Sequence, residues 1–168
     1  GNVLLAHGHA LYDELSRVFQ RDAELFVSSG VALNRVPLLS EGDLTPGDGR
    51  VSQFSDYDRN SRLTFVTAAS VASAAEISSI EYDGASRAIR SRDPEGNEVQ
   101  RVFDKNSNPT RVIRTDKSPT GRVPQETFTT INVFDSLDRL IRSTDNLGQT
   151  RRFFWDSRNL LIRTSDAQ

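Results

Sequence analysis

The chain has 168 residues, of which 36% are hydrophobic and 26% are charged, with a net charge of −2 and neither cysteine nor methionine. This composition predicts a folded chain and excludes a disulfide framework, thiolate zinc sites and a cysteine nucleophile. The near-neutral charge provides no net attraction to nucleic acid, and the sequence contains no membrane-spanning apolar run and no signal peptide. Because it begins at Gly1 and lacks methionine, we expect a fragment of a much larger protein.

An aromatic residue followed by aspartate recurs six times along the chain. The six pairs are Tyr12-Asp13, Tyr57-Asp58, Tyr82-Asp83, Phe103-Asp104, Phe134-Asp135 and Trp155-Asp156. Two intervals, from Tyr82 to Phe103 and from Phe134 to Trp155, are 21 residues long, and the other three are longer by 24, 4 and 10 residues. A fixed period defines a repeat protein. We therefore predict a single array of six units over residues 1–168, with insertions near 28–50, 66–80 and 117–126.

Each copy carries turn-forming and basic residues at fixed distances from its aromatic. The fourth residue on is Ser16, Ser61, Ser86, Ser107, Asp138 or Asn159. The fifth is Arg17, Arg62, Arg87, Asn108, Arg139 or Leu160. The eighth, in the last four copies, is Arg90, Arg111, Arg142 or Arg163. These positions account for much of the unusual excess of arginine over lysine and of aspartate over glutamate.

The pattern predicts two strands and two turns per unit, and hence twelve strands. One strand leads into each aromatic-Asp pair, as at 100–103, and one leads out, as at 111–114. The loop between aspartate and the fifth residue is three residues long, so its last residue should adopt a left-handed conformation. The aspartate should accept backbone N–H groups and pair with the arginine across the turn. A second turn ends at Gly96 in one unit and Gly148 in another.

Aromatic-Asp, turn, arginine, strand and Asp-x-x-Gly at this period resemble the YD-repeat family, also called Rhs repeats. The family includes bacterial Rhs proteins, the cocoon subunits of insecticidal toxin complexes, and teneurins. The resemblance implies an all-β fold of tandem hairpins that form a continuous ribbon or spiral, part of a hollow shell. In bacterial members the shell commonly encloses a C-terminal toxin and ends in a self-cleavage region with paired Asp-Pro-x-Gly signatures. Only one such signature, 93–96, occurs here, so we predict no protease and no other enzyme activity.

The insertions and histidines offer weak candidates for binding sites. Asp43 and Asp48 lie in a Gly- and Pro-rich stretch, but the ligand order of a calcium loop is absent, so a surface loop is favoured. His7 and His9 have the spacing of half a zinc site without a third ligand, so we predict no metal and no cofactor. The second insertion is rich in alanine and serine, and it fits either one helical turn or a strand extension. The third, with two prolines, is predicted not to be a strand.

Phe153, Phe154 and Trp155 are the candidates for ligand binding, because aromatic rings stack on sugars. Packing within the ribbon is the alternative, since every copy has an aromatic at the position of Trp155.

The leading hypothesis is a non-catalytic structural segment of a bacterial protein that is secreted or on the cell surface, with an export signal outside this segment. Its partners would be flanking repeats and an encapsulated toxin domain or a surface glycan. Alternatives are a carbohydrate-binding or cell-adhesion module and a β-propeller. Apolar and charged residues occur at both odd and even strand positions, as in Leu140-Ile141-Arg142, so the pattern does not assign the interior face.

Overall fold

The computed structural model describes residues 6–25, 50–68, 75–117 and 124–167, and every regular element among them is a β-strand. The strands are β1 Ala6–Tyr12, β2 Val18–Leu25, β3 Arg50–Tyr57, β4 Leu63–Ala68, β5 Glu76–Tyr82, β6 Ala88–Arg92, β7 Glu98–Phe103, β8 Pro109–Asp116, β9 Glu126–Phe134, β10 Leu140–Thr144, β11 Thr150–Trp155 and β12 Leu161–Ala167. The prediction of twelve strands in an all-β fold is confirmed. Within the described ranges, no helix has the length and apolarity needed to cross a bilayer.

The strands form an open antiparallel sheet whose order is the order of the chain, from β1 to β12. Successive hairpins therefore pair with their sequence neighbours in one sheet, whereas a propeller divides its strands among separate four-stranded blades. The chain divides into two compact units, Gly1–Ser79 and Ile80–Gln168. The first contains β1 to β4 and the start of β5, and the second contains the rest of β5 and β6 to β12.

A single sheet buries few side chains completely, because each face has no second layer of strands upon it. Among the residues whose burial the structure describes, those that are buried are Gln20, Asp22, Ser52 and Gly96. In the first unit, the Gln20 amide donates 2.9 Å hydrogen bonds to both carboxylate oxygens of Asp22, and the Ser52 hydroxyl donates to one of them at 2.7 Å. These bonds satisfy a carboxylate that is only 4% exposed.

The predicted insertions meet the strands at their ends. Most of the first, including Asp43 and Asp48, lies outside the described residues, as do residues 69–74 of the second and 118–123 of the third. Of the second insertion, the structure describes 66–68 and 75–80, and residues 66–68 and 76–80 are strand. The alanines on which the helical-turn alternative rests lie outside the described residues apart from Ala75. Glu126, at the end of the third insertion, is the first residue of β9 and pairs with Asp116 of β8.

Candidate functional site

The aromatic-Asp turns share one backbone conformation. The residue at the fourth position has a positive φ between 59° and 72° in all six copies, from Ser16 to Asn159. In the first copy, the Ser16 N–H donates to the Asp13 carbonyl at 2.9 Å, and the Asp13 N–H donates to the Arg17 carbonyl at 2.9 Å. The same two hydrogen bonds recur in the other five copies. The predicted left-handed residue is confirmed, although serine rarely adopts this conformation.

Each turn aspartate organises the backbone ahead of it. In the first copy, Asp13 Oδ1 accepts the N–H groups of Leu15 and Arg17, both at 2.9 Å. The Arg17 N–H is the largest cause of a lowered pKa at Asp13, and the guanidinium of the same residue lowers the pKa further. The pKa is also below its ordinary value of 3.8 in the other five copies, at Asp58, Asp83, Asp104, Asp135 and Asp156. Folding therefore stabilises the ionised form of these carboxylates.

The fifth-position arginine pairs with the aspartate of its own turn. Arg17 Nε donates to Asp13 Oδ2 at 2.6 Å, and its terminal Nη2 lies 2.6 Å from the same oxygen. The corresponding Nε to Oδ2 distance is 2.6 Å for Arg62 and 2.7 Å for both Arg87 and Arg139. The ion pair inferred from the repeat is present in all four copies that have arginine, and Nε donates to Oδ2 in each of them.

Three of these arginines, Arg17, Arg87 and Arg139, also reach the turn of the next unit along the chain. Arg139 Nη1 donates to the Asp156 carbonyl at 3.1 Å and to the Asn159 side-chain oxygen at 3.0 Å. Arg87 bonds the Asp104 carbonyl at 2.8 Å and the Ser107 hydroxyl at 3.4 Å. Arg17 makes the matching bonds to Asp58 and Ser61 at 3.4 and 3.2 Å. Each such arginine is therefore a clasp that joins two successive turns.

The fourth copy makes its clasp from neutral amides. Asn108 stands where arginine is expected and donates to Asp104 Oδ2 at 3.1 Å. Its amide is too short to replace a guanidinium, but the next turn has Asp138 in place of serine. Asp138 Oδ1 accepts from Asn108 at 2.7 Å and from Asn106 at 2.8 Å. The Asp138 side chain of the later turn thus extends to the Asn108 amide, which is too short to reach the later turn as arginine does.

The repeat aromatics pack against the preceding unit. The guanidinium carbon of Arg17 lies 4.8 Å from the Tyr57 ring centre, and that of Arg87 lies 4.9 Å from the Phe103 ring centre. The Tyr57 hydroxyl donates to the Val18 carbonyl at 2.8 Å, and the Trp155 indole N–H donates to the Leu140 carbonyl at 2.9 Å. Val18 and Leu140 occupy the same position in their units, six residues after the aromatic. Trp155 therefore makes a contact between units, as an aromatic of the ribbon would.

A β-bulge follows the turn, and the sequence reasoning missed it. Leu140 pairs with Phe134 and Arg142 pairs with Val133, so Ile141 has no partner of its own. Equivalent register shifts occur in four other hairpins, at the residues seven positions after the aromatic. Because Phe134 and Val133 are consecutive, the bulge places their partners Leu140 and Arg142 on opposite faces although they are two residues apart. Strict alternation along the strand therefore fails at this position.

The two Asp-x-x-Gly turns use the same hydrogen bonds as the aromatic-Asp turns. The Gly96 N–H donates to the Asp93 carbonyl at 3.0 Å, and the Gly148 N–H donates to the Asp145 carbonyl at 3.1 Å. Their φ values are 89° and 81°, a region where glycine is favoured. The predicted second turn is confirmed, and each unit with this motif therefore has left-handed residues at both of its ends.

Phe153, like Phe154, stands at a position in the unit that no other copy fills with an aromatic. It lines an open concavity of about 810 Å³ on β10 to β12, together with Leu140, Ser143, Asp145, Arg151 and Asp166. Arg151 Nε and Asp166 Oδ1 are 2.7 Å apart, and both side chains are largely exposed. Phe154 lies under Arg163, whose guanidinium carbon is 4.2 Å from the ring centre. The three aromatics therefore have different surroundings, and only Phe153 borders this concavity.

The histidines lie in β1, where His9 pairs in register with Asp22. Across the described residues, no three histidine, aspartate or glutamate side chains cluster as a metal ion would require. His7 and the loop aspartates of the first insertion contribute nothing to this search, because their side chains lie outside the described set.

The sheet order and the shared turns define a class, that of tandem β-hairpin repeat proteins. Residues 134–168 match the family described as RHS Repeat, and this match confirms the predicted resemblance. The matched stretch contains the last two aromatic-Asp turns and the Arg139 clasp between them. No curated protein matches the sequence.

Solved structures share this fold at low sequence identity. A crystal structure of TcdB2-TccC3 superposes with a TM-score of 0.65 and 15% identity over 96% of this chain. A second, of TcdB2-TccC3 without its hypervariable C-terminal region, gives 0.64 and 14% over 95%. The chain spans 8% of the length of each of these proteins. At this identity the likeness establishes the fold.

Proposed function

We propose that this chain is a non-catalytic structural segment of a YD-repeat shell or surface scaffold in a longer protein. The observation that carries the proposal is the clasp between successive turns. Arg17, Arg87 and Arg139 each bind their own aspartate and the backbone of the next turn, so the polar side chains of the repeat hold hairpins together. An active site needs groups free to meet a substrate, whereas these carboxylates are already bound by backbone and guanidinium donors.

The family resemblance supports a more specific role. In bacterial members the shell commonly encloses a C-terminal toxin, and the likeness of fold to TcdB2-TccC3 is consistent with such a wall. We propose that the flanking repeats of the same chain continue the sheet, that the enclosed partner is a toxin domain, and that the protein acts outside the bacterial cell or on its surface.

Protease protection of the longer protein that contains this chain tests the proposal. A tag placed in the segment beyond the repeats should resist protease while the shell is intact. Replacing Arg17, Arg87 and Arg139 together by glutamine should open the wall and expose the tag. The matched control replaces Arg111, Arg142 and Arg163, which join no turns in the structure, and should leave the tag protected. A tag cleaved equally fast in the unaltered protein and in the separate segment would contradict enclosure.

A carbohydrate-binding or cell-adhesion role is the second candidate, and the concavity at Phe153 favours it. A ring beside Ser143, Asp145 and the Arg151–Asp166 pair offers a stacking surface with hydrogen-bonding groups around it. Binding on a glycan array that is lost in Phe153→Ala but kept in Phe154→Ala would support this role. Trp155→Ala is a poor probe, because it also removes the hydrogen bond to Leu140. Absence of binding across the array would reject it.

A further inference from the structure

Four arginines of the compact unit Ile80–Gln168 share one face of the sheet. Arg142 pairs in register with Arg152, and Phe154, two residues beyond Arg152, pairs with Arg163. On the other side, Thr144 and Arg111 both pair with Ile131. Registered partners in a sheet, and residues two apart on a strand, lie on the same face. We name the surface formed by Arg111, Arg142, Arg152 and Arg163 the arginine face.

The arginine face has no carboxylate of its own. All four side chains are exposed, and none has an ion-pair partner among the described residues. The residues of β8 to β12 that alternate onto this face include no aspartate or glutamate. Asp116, Glu126 and Asp166 of these strands alternate onto the opposite face. A chain with a net charge of −2 therefore presents a local surface of four positive charges.

Arg90 shows what an arginine of this series does when carboxylates are present. It occupies the same position in its unit as Arg111, Arg142 and Arg163. Its Nη1 lies 3.3 Å from Glu81 Oε1, and its Nε lies 3.2 Å from Glu98 Oε1. The later units have valine or phenylalanine at the position of Glu81. The arginines of these units therefore lack the carboxylate that Glu81 provides for Arg90.

The direct pairing of Arg142 with Arg152 works against folding. Like charges opposite one another on neighbouring strands destabilise a sheet. Nothing among the described residues offsets this repulsion. A local rule broken without compensation within the chain is characteristic of a functional surface.

Apolar side chains lie among the arginines, which indicates that the partner has apolar groups as well as acidic ones. Ile131, 50% exposed, lies between Arg111 and Thr144 in the cross-strand row. Ile113 and Val133 are half-buried neighbours on the same face. A uniformly hydrophilic polyanion would leave these groups in contact with water or with charge. A peptide that presents both acidic and apolar residues on the side facing the sheet would cover both kinds of group.

We propose that the arginine face binds an acidic polypeptide segment that presents carboxylates and aliphatic side chains on the same side. Four strand spacings separate β8 from β12, so the face is about 19 Å wide. An extended segment of about six residues spans that distance. Its carboxylates accept hydrogen bonds from the guanidinium groups in the forked geometry that arginine favours, and Ile131 packs against the aliphatic side chains. This binding does not depend on whether the longer protein forms a shell.

Fluorescence anisotropy with a labelled eight-residue peptide, two repeats of Glu-Glu-Val-Val, tests the proposal on the 168-residue chain. As an extended strand this peptide presents both glutamate and valine on each of its sides. We expect binding that weakens with added salt, because the exposed charges are screened. The double variant Arg142→Gln/Arg152→Gln should weaken binding on the order of tenfold, from the loss of two exposed charge pairs. The same peptide with glutamine in place of each glutamate should not bind.

Arg114→Gln is the matched control, since Arg114 is exposed on β8 beside Arg111 but alternates onto the other face. It should leave the affinity unchanged. Equal losses in the control and the double variant would overturn the proposal, as would tighter binding of heparin or single-stranded RNA than of the peptide. Circular dichroism of the double variant should show an intact sheet, because the substitution removes a repulsion. A variant that binds normally while folded would also reject the arginine face as the site.

Discussion

Arg139 and Arg142 lie three residues apart in one repeat, yet their surroundings differ completely. Arg139 is bound by Asp135, the Asp156 carbonyl and Asn159. We call the edge of the sheet formed by the aromatic-Asp turns, where these bonds lie, the turn edge. Arg142 is on the open face of the sheet, exposed and opposite a second arginine, Arg152. The difference teaches that arginine serves two purposes in this chain. At the turn edge it joins hairpins, and on the arginine face it remains available to a partner.

Acid should break the turn edge and leave the arginine face charged, which is the largest expected effect. Folding lowers the pKa of six turn aspartates from 3.8, so their stabilisation is complete above that pH. It is lost as pH falls through the lower pKa of the folded state, because protons then bind the unfolded chain first. Thermal melts followed by circular dichroism should show steeply falling midpoints below about pH 4. Equal midpoints at neutral and strongly acid pH would contradict this account.

Trp155→Ala should damage the turn edge next most strongly. The substitution removes a half-buried ring and leaves the Leu140 carbonyl without its donor, so the free energy of unfolding should fall by roughly 2–4 kcal/mol. Trp155→Phe keeps a ring without the N–H group, so its free energy of unfolding should lie between those of the unaltered protein and Trp155→Ala. Urea unfolding measures both. Leu147→Ala is the control, because Leu147 is 77% exposed and should have little effect.

Arg139→Gln and Arg142→Gln compare the two arginines directly. Glutamine at position 139 loses the ion pair and the contacts to the next turn, so the unfolding midpoint should drop on the order of 5 °C. Glutamine at position 142 removes a like-charge neighbour of Arg152 and should leave the midpoint unchanged or raise it. Differential scanning calorimetry of the two variants measures both unfolding midpoints. A larger loss at position 142 would reverse our assignment of the two roles.

The smallest effect should come from exchanging the two kinds of clasp. Asp138→Ser removes the acceptor of Asn106 and Asn108 and should lower the midpoint by about 1–3 °C. Adding Asn108→Arg should recover most of that loss, since it recreates the arginine-to-serine contact found between Arg87 and Ser107. The gain from Asn108→Arg should therefore be larger beside serine than beside Asp138. Additive effects in this double-mutant cycle would show that the two positions are not coupled.

Much of the turn could be predicted because its interactions are local. The left-handed fourth residue and the pairing of Asp13 with Arg17 involve residues at most four positions apart. The chain imposes the same geometry on each copy, so one motif predicts six turns. The candidate at Phe153 was predicted together with Phe154 and Trp155 because adjacent aromatics look alike in a sequence. Their different neighbours come from other strands.

The sequence by itself determined the period, the two turns of each unit and the all-β class, because turn chemistry and strand propensity act within a few residues. Only the tertiary structure decided the second half of each clasp, the bulge at Ile141 and the grouping of four arginines on one face. These features depend on register between strands. A bulge changes the face of every residue beyond it, so the side on which Arg142 lies follows from the pairing of the strands and not from counting along the chain.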